Sequence, residues 1–363
     1  MKKSQLFLCN KDLFVYFTHF RRNKVFIITT WKTTHLLFLE QSIDYFRTRD
    51  IIYYKMKPED GQMKEMIVTP NDDLQKILNS VGEGTRLHLT QGEYRQKIEI
   101  NVPGIELIGA GAENTGIVYG DYANKLDEAG KEYVTFRTYT VAVCADNVKM
   151  RGLTVKNDAL SPEIKGQEVA LTVYGNEFSA EDCRFVSTQD TLFCGPLPPD
   201  LIRRYDGFLK DKLRAEGYQK QIFRNCEIVG TVDFIFGCGD ALFDRCRIIS
   251  AFDVRGTGYV CAPAHAEGQN IGFVFYQCDF DHTDGVAKDS IYLARPWRDY
   301  GKASFIDCRY GEHIIAGGFH KWNDTSRDKT ARFRECGTDR SGRVPWSGEL
   351  AEEEKSFLLD YFI

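Results

Sequence analysis

Apolar and polar positions in this chain alternate in short bursts of three to six residues, punctuated by Gly, Asn or Asp. Few segments show the 3.6-residue spacing of a helix face. Residues 141–157, "VAVCADNVKMRGLTVKN", set the cadence. It returns around five cysteines, in "EDCRF" (Cys183), "RNCEI" (Cys226), "DRCRI" (Cys246), "YQCDF" (Cys278) and "IDCRY" (Cys308). The steps between them are 43, 20, 32 and 30 residues. Short strands that recur at such intervals predict a solenoid, whose coils bury a core only by stacking on one another. The reading is an all-β, single-stranded parallel β-helix in which the cysteines form an inward ladder of small apolar side chains. Two segments do carry helical spacing. Residues 70–81 predict a short helix capping the N-terminal end, and residues 347–362 a C-terminal helical tail.

One pair of coils repeats in detail. "CRFVSTQDTLF" (residues 183–193) and "CEIVGTVDFIF" (residues 226–236) share Cys, Val, Thr, Asp and Phe at the same five of eleven places. Residues 194–220 between them are rich in Pro and charge and lack the cadence. They read as a loop of about 22 residues inserted in an ordinary coil. The two copies are then consecutive coils in register, ~4.8 Å apart, with Asp190 and Asp233 stacked on one face.

Asp233 lies among Val232, Phe234, Ile235 and Phe236, where an unpaired carboxylate is costly. Two carboxylates at such a spacing resist joint ionisation, so one holds a proton while the other stays anionic. An anionic nucleophile or base beside a proton donor suits acyl transfer or glycoside cleavage. The competing reading is an Asp ladder satisfied by backbone N–H groups. The neighbours favour chemistry. Gln189 precedes Asp190, Gln167 lies about one coil earlier, and side-chain amides can donate to an oxyanion. "LARPW" supplies Arg295, able to hold a carboxylate in its charged form, and Trp297, an apolar platform for a sugar ring.

These motifs resemble a known family. "GEYRQKI", "GQEVAL", "QDTLF", "VDFIFG", "LARPW" and "GFHKWN" occur in the order found in pectin methylesterases, over residues 63–346. The resemblance implies a right-handed parallel β-helix and hydrolysis of galacturonate methyl esters, with no cofactor and no metal. It implies Asp233 as nucleophile and Asp190 as the acid that protonates departing methanol and then serves as base. It further implies Gln167 and Gln189 as oxyanion donors, Arg295 as the group keeping Asp233 ionised, and Trp297, Phe236 and Val232 as substrate contacts. The chain departs from the family pattern at Gln96, where an acid is usual, at Ala294, where glycine is common, and at Glu168, where a small residue is usual. Gln96 is read as structural; Glu168 would alter substrate preference only if it pointed into the groove. His320, in "GFHKWN", is read as packing.

Two other classes fit the same solenoid: a glycosidase or lyase acting on pectin, and a non-catalytic polysaccharide-binding module. The aspartate set of β-helix polygalacturonases and the acidic calcium cluster of pectate lyases are not visible in the sequence. There is no GxSxG elbow of a serine hydrolase.

Composition divides the chain. All 31 glycines fall at Gly61 or later. Residues 1–55 carry twelve aromatics and ten Lys or Arg against four acids, near +6 in a chain of net charge −5. Residues 1–62 are therefore expected to be a separate extension, 63–348 the β-helix domain and 349–363 a tail. The extension lacks a convincing signal peptide. No run reaches the roughly 20 apolar residues of a membrane span. Eleven cysteines with no CxxC pairs argue against a disulfide scaffold or zinc site. The net charge argues against nucleic-acid binding. The expected partner is methyl-esterified pectin or oligogalacturonides, met by a monomer. The free thiols point to the cytoplasm, with secretion, usual for the family, as the alternative.

Overall fold

The computed structural model describes residues 64–159, 166–198 and 219–363. The proposed extension at 1–62 and most of the insertion at 194–220 lie outside these residues. Three parallel sheets of seven, eleven and eight strands run the length of the described chain. From Arg86 to Ala294 each coil contributes a strand to each sheet in turn, the organisation of a parallel β-helix; later strands extend only the eleven- and eight-stranded sheets.

The cysteine ladder marks the bend between the eleven- and eight-stranded sheets. Arg184, Glu227, Arg247, Asp279 and Arg309, each just after one of the five cysteines, are successive register partners. The step of 43 residues is thus a single coil. The residue before each cysteine has positive φ: Asp182 at 53°, Asn225 at 50°, Arg245 at 53°, Gln277 at 52° and Asp307 at 52°. Non-glycine residues rarely adopt this left-handed conformation. Its recurrence at one step of five coils identifies a bend imposed by the architecture. The backbone N–H at each bend donates to the next coil, as from Asn225 to Asp244 at 3.0 Å and from Gln277 to Ile306 at 2.8 Å. The buried thiols donate back to the previous coil, Cys278 Sγ to the Phe243 carbonyl at 3.1 Å. Outside, the same ladder alternates in charge, with Arg184 and Arg247 both donating to Glu227.

The interior is filled by side chains of the three sheets. Phe223, Phe243, Phe275 and Phe305 occupy one register position on four coils. Their rings stack at centroid separations of 5.1, 4.7 and 4.9 Å, within 14° of parallel.

Both ends are closed. The expected helix at 70–81 forms as Leu74–Ser80. Its start is delayed because Asp72 accepts the Thr69 N–H and makes a turn of the preceding residues. Asp73 then caps it by accepting from Lys76. Gln96 is structural: it accepts from Leu74 N at 2.8 Å and donates to the Asp72 carbonyl at 2.7 Å, pinning the cap. At the other end the helix spans Glu352–Asp360, shorter than predicted, because Gly348–Glu349 joins the eleven-stranded sheet. Its three leading glutamates suit the positive end of the helix dipole. Leu358 and Phe362 bury against Leu242, Val274 and Ile306.

Candidate active site

The two repeats meet on the seven-stranded sheet. Strand Leu192–Cys194 pairs with Val232–Gly237 so that Phe193 faces Phe236 and Leu192 faces Ile235. That offset of 43 carries Asp190 onto Asp233. Asp190 lies just before its strand and Asp233 within its own, and both have left-handed backbone, φ 66° and 51°. The register to the next strand, Gly258–Pro263, breaks between Val232 and Ile235. This irregularity sends Phe234, fully buried, into the core and leaves the preceding carboxylate on the other side. Gly230 makes room for it, since a Cβ there would lie 2.2 Å from Cβ of Phe234. Two left-handed non-glycine residues store about 1–3 kcal/mol of backbone strain each, in the place where the chain gathers its carboxylates.

Both carboxyls are nearly out of water, at 8 and 7% exposure for Asp190 and Asp233. Arg295, just past strand Ile291–Ala294, grips Asp233 with two parallel bonds. Burial pushes the Asp233 pKa up, and the guanidinium pulls against it. Asp190 is pushed well above the ordinary carboxylate range, first by burial and then by the charge on Asp233. The two shifts differ in size: Asp190, pushed further, holds a proton more readily than Asp233, which the guanidinium restrains. Arg295 is itself held between aromatic faces, 3.7 Å from the Tyr259 ring centroid and 4.1 Å from that of Trp322. His320 packs beside the Tyr259 and Tyr292 rings and accepts the backbone N–H of Trp322.

Gln167 and Gln189 pair as a parallel bridge on adjacent coils. Both line a cavity of about 510 Å³ with Asp190, Asp233 and Arg295. Its apolar wall comprises Phe136, Phe236, Trp297 and Trp322, with Phe236 and Trp297 meeting edge to face at 5.8 Å. Glu132 and Arg298 bring opposite charges to the lining. Seven of the eight residues singled out in the sequence thus share one cavity. Val232, expected as a substrate contact, is buried and lies outside the lining. Glu168 is fully buried, accepting the Thr188 N–H at 3.0 Å, and it too lies outside the lining. Among the described residues, no three His, Cys, Asp or Glu side chains converge as metal ligands.

Besides Phe136, Glu132 and Arg298 of the lining, three residues that contact Arg295 or Gln189 escaped the sequence reading. Tyr259 is the register partner of Val232 on the next coil, a position that coil counting reaches. Trp322 stood in the motif "GFHKWN", of which only His320 was weighed. Arg255 donates to the Gln189 side-chain oxygen at 2.9 Å from 66 residues away, and nothing in its local sequence announces it.

Known proteins share this architecture. The family model described as Pectinesterase matches residues 58–196 and 205–363. Pectinesterase QRT1 of Arabidopsis thaliana is 30% identical over 82% of this chain and 74% of its own length. Pectinesterase 31 of the same plant is 29% identical, over 79% and 86% respectively. Among solved structures, pectin methylesterase PemA from Erwinia chrysanthemi superposes with a TM-score of 0.67 at 21% identity, covering 82% of this chain and 95% of that one. The carrot pectin methylesterase gives 0.65 at 22%, covering 83% and 92%. At these identities the structures speak for the fold, a parallel β-helix; the family follows from the matched model and the sequence relatives. The chain belongs to the pectinesterase family.

Proposed function

We propose that this carboxylic ester hydrolase removes methyl esters from galacturonate units of pectin, with Asp233 as nucleophile and Asp190 as acid and then base. The observation that carries the assignment is the pairing of a guanidinium-held carboxylate, Asp233, with a second buried carboxyl, Asp190, at the same register position one coil earlier. Asp233 attacks the C6 carbonyl carbon of the ester. The carbonyl oxygen becomes an oxyanion, met by the amide N–H groups of Gln167 and Gln189. As the intermediate collapses, the bond from C6 to the methoxy oxygen breaks and Asp190 gives that oxygen its proton, so that methanol leaves. A mixed anhydride between Asp233 and the sugar remains. Asp190, now ionised, takes a proton from water as the water attacks C6. Collapse expels the Asp233 carboxylate and frees the galacturonic acid, which gives its remaining proton to solvent, while Asp190 is left protonated. Trp297, at the apolar wall, meets the C–H face of the sugar.

Low local polarity makes Asp233 a better nucleophile than a hydrated carboxylate, while Arg295 prevents its protonation. Asp233→Asn tests the assignment: methanol release from methylated pectin falls to background while the fold, read by circular dichroism, is kept. Near-native turnover by that variant sinks it. Following new reducing ends alongside methanol separates ester hydrolysis from chain cleavage.

The cytoplasmic expectation gains no support from the family, and secretion is the alternative consistent with it. The thiols that prompted the expectation carry little weight. Cys183, Cys226, Cys246, Cys278 and Cys308 are buried core groups, inert in either compartment. Among the described residues no helix is long and apolar enough to cross a membrane.

A further inference from the structure

We infer that Arg255 is a positioning residue that fixes which end of the Gln189 amide faces the reacting carbonyl. The inference rests on the role proposed above for Gln189. A primary amide has a donor end and an acceptor end of nearly equal size, so shape alone does not set its orientation. Turned the wrong way, Gln189 presents its oxygen to a developing oxyanion and repels it. A guanidinium carries donors and no acceptor. Arg255 Nη1, 2.9 Å from Gln189 Oε1, can hold only the oxygen end. The N–H end is then turned to the Asp190 side, where it bonds the carboxyl.

Arg255 is held in turn. Its Nε reaches Asp253 Oδ1 at 2.7 Å and its Nη2 reaches Oδ2 at 2.6 Å. Its own backbone N–H meets Oδ1 at 2.8 Å. The two side chains are 23 and 9% exposed. Asp253 occupies one edge of the fork, and the remaining Nη1 is spent on Gln189. The segment is anchored to its neighbours, with Phe252 N donating to Thr283 Oγ1 and Gly256 N to the Asp253 carbonyl. A cation on the amide oxygen also polarises the amide, strengthening its N–H groups as donors. The chain thus runs from Asp253 through Arg255 and Gln189 to the site of charge development, and only Gln189 touches the substrate.

The test is a double-mutant cycle on the full chain, read as methanol release from methylated pectin. Arg255→Gln is expected to lower kcat ~10–100-fold, somewhat less than outright loss of an oxyanion donor, with KM within about twofold of wild type. Arg255→Lys, whose ammonium still donates to Oε1, recovers most of kcat. In a Gln189→Ala background Arg255→Gln has nothing left to position and changes kcat less than about threefold. Equal losses in both backgrounds, a change confined to KM, or an unaltered kcat for Arg255→Gln each overturn the inference. Failure of the wider reading looks different: if Asp233→Asn keeps turnover, the carboxylate chemistry is wrong and the inference falls with it. If Asp233→Asn is inactive while Gln189→Ala is unimpaired, only the oxyanion role and its positioning are lost.

Discussion

Arg295 holds both carboxylate oxygens of Asp233, Nε to Oδ1 at 2.8 Å and Nη2 to Oδ2 at 2.6 Å, with the two side chains 15 and 10% exposed. A pair this dry gains little net stability, because the desolvation of both ions offsets their attraction. Its value lies in keeping an anion where burial alone would neutralise it. The first prediction follows. Arg295→Lys keeps a charge but cannot supply two parallel N–H bonds. Asp233 loses one partner, turns off its attack line and protonates more readily. We expect kcat to fall by about 10²-fold and the acid limb of kcat/KM to move to higher pH, both read from methanol release across a pH series. An unchanged acid limb would mean that Arg295 orients Asp233 without setting its charge.

The cadence of short strands spelled out the coils, and the internal repeat put Asp190 over Asp233, because a solenoid converts sequence spacing into stacking with few free parameters. The bend before each cysteine was less legible. Asp182, Asn225, Arg245, Gln277 and Asp307 are five residues of four types, so no single residue type marks it. Helix ends were overextended, since the periodicity of 347–362 does not reveal that Gly348–Glu349 finds a strand partner. Arg255 and Tyr259 were missed for the opposite reason. Their roles come from contacts across coils, Arg255 to Gln189 and Tyr259 to Arg295, and a contact of that kind has no local signature.

The raised Asp190 pKa makes a second prediction, about stability. In the unfolded chain this group titrates near 3.9; folded, it keeps its proton to higher pH. Between those values the native state binds more protons than the unfolded one, so stability falls as pH rises and levels off above the native pKa. Asn cannot ionise. Asp190→Asn should therefore gain thermal stability over wild type as pH rises from about 4 toward neutrality, while losing turnover for want of a leaving-group acid. Thermal melts of both proteins at several pH values check it, and a difference independent of pH would contradict the assignment of the proton.

The aromatic residues of the site divide into two roles with different kinetic signatures. Both tryptophans line the cavity, but Trp322 lies over the Arg295 guanidinium, whereas Trp297 packs with Phe236 and Phe136. A partly buried cation–π contact is worth about 1–2 kcal/mol. Trp322→Ala should accordingly lower kcat roughly 5–30-fold by loosening Arg295. Trp297→Ala should raise KM and leave kcat nearly intact, since a sugar face is bound alike in the ground and transition states. Steady-state methanol release over a range of substrate concentrations separates the two, and identical KM effects would merge the roles.

The last prediction concerns the core that holds the coils in register. Phe275 is fully buried, with the rings of Phe243 at 4.7 Å and Phe305 at 4.9 Å on either side. Phe275→Ala leaves a cavity walled by β-sheet on neighbouring coils, which collapses poorly. The loss should reach about 3–5 kcal/mol. Phe275→Leu restores most of the volume, and by packing alone would cost under about 1.5 kcal/mol. Ring contacts add roughly 0.5–1.5 kcal/mol for each pair, and Leu forfeits three, the third with Phe280 at 5.7 Å. A Leu variant that loses distinctly more than the volume-conserving figure, measured by chemical denaturation, would show that the stack is an energetic spine of the solenoid. A Leu variant within that figure would reduce it to filled space.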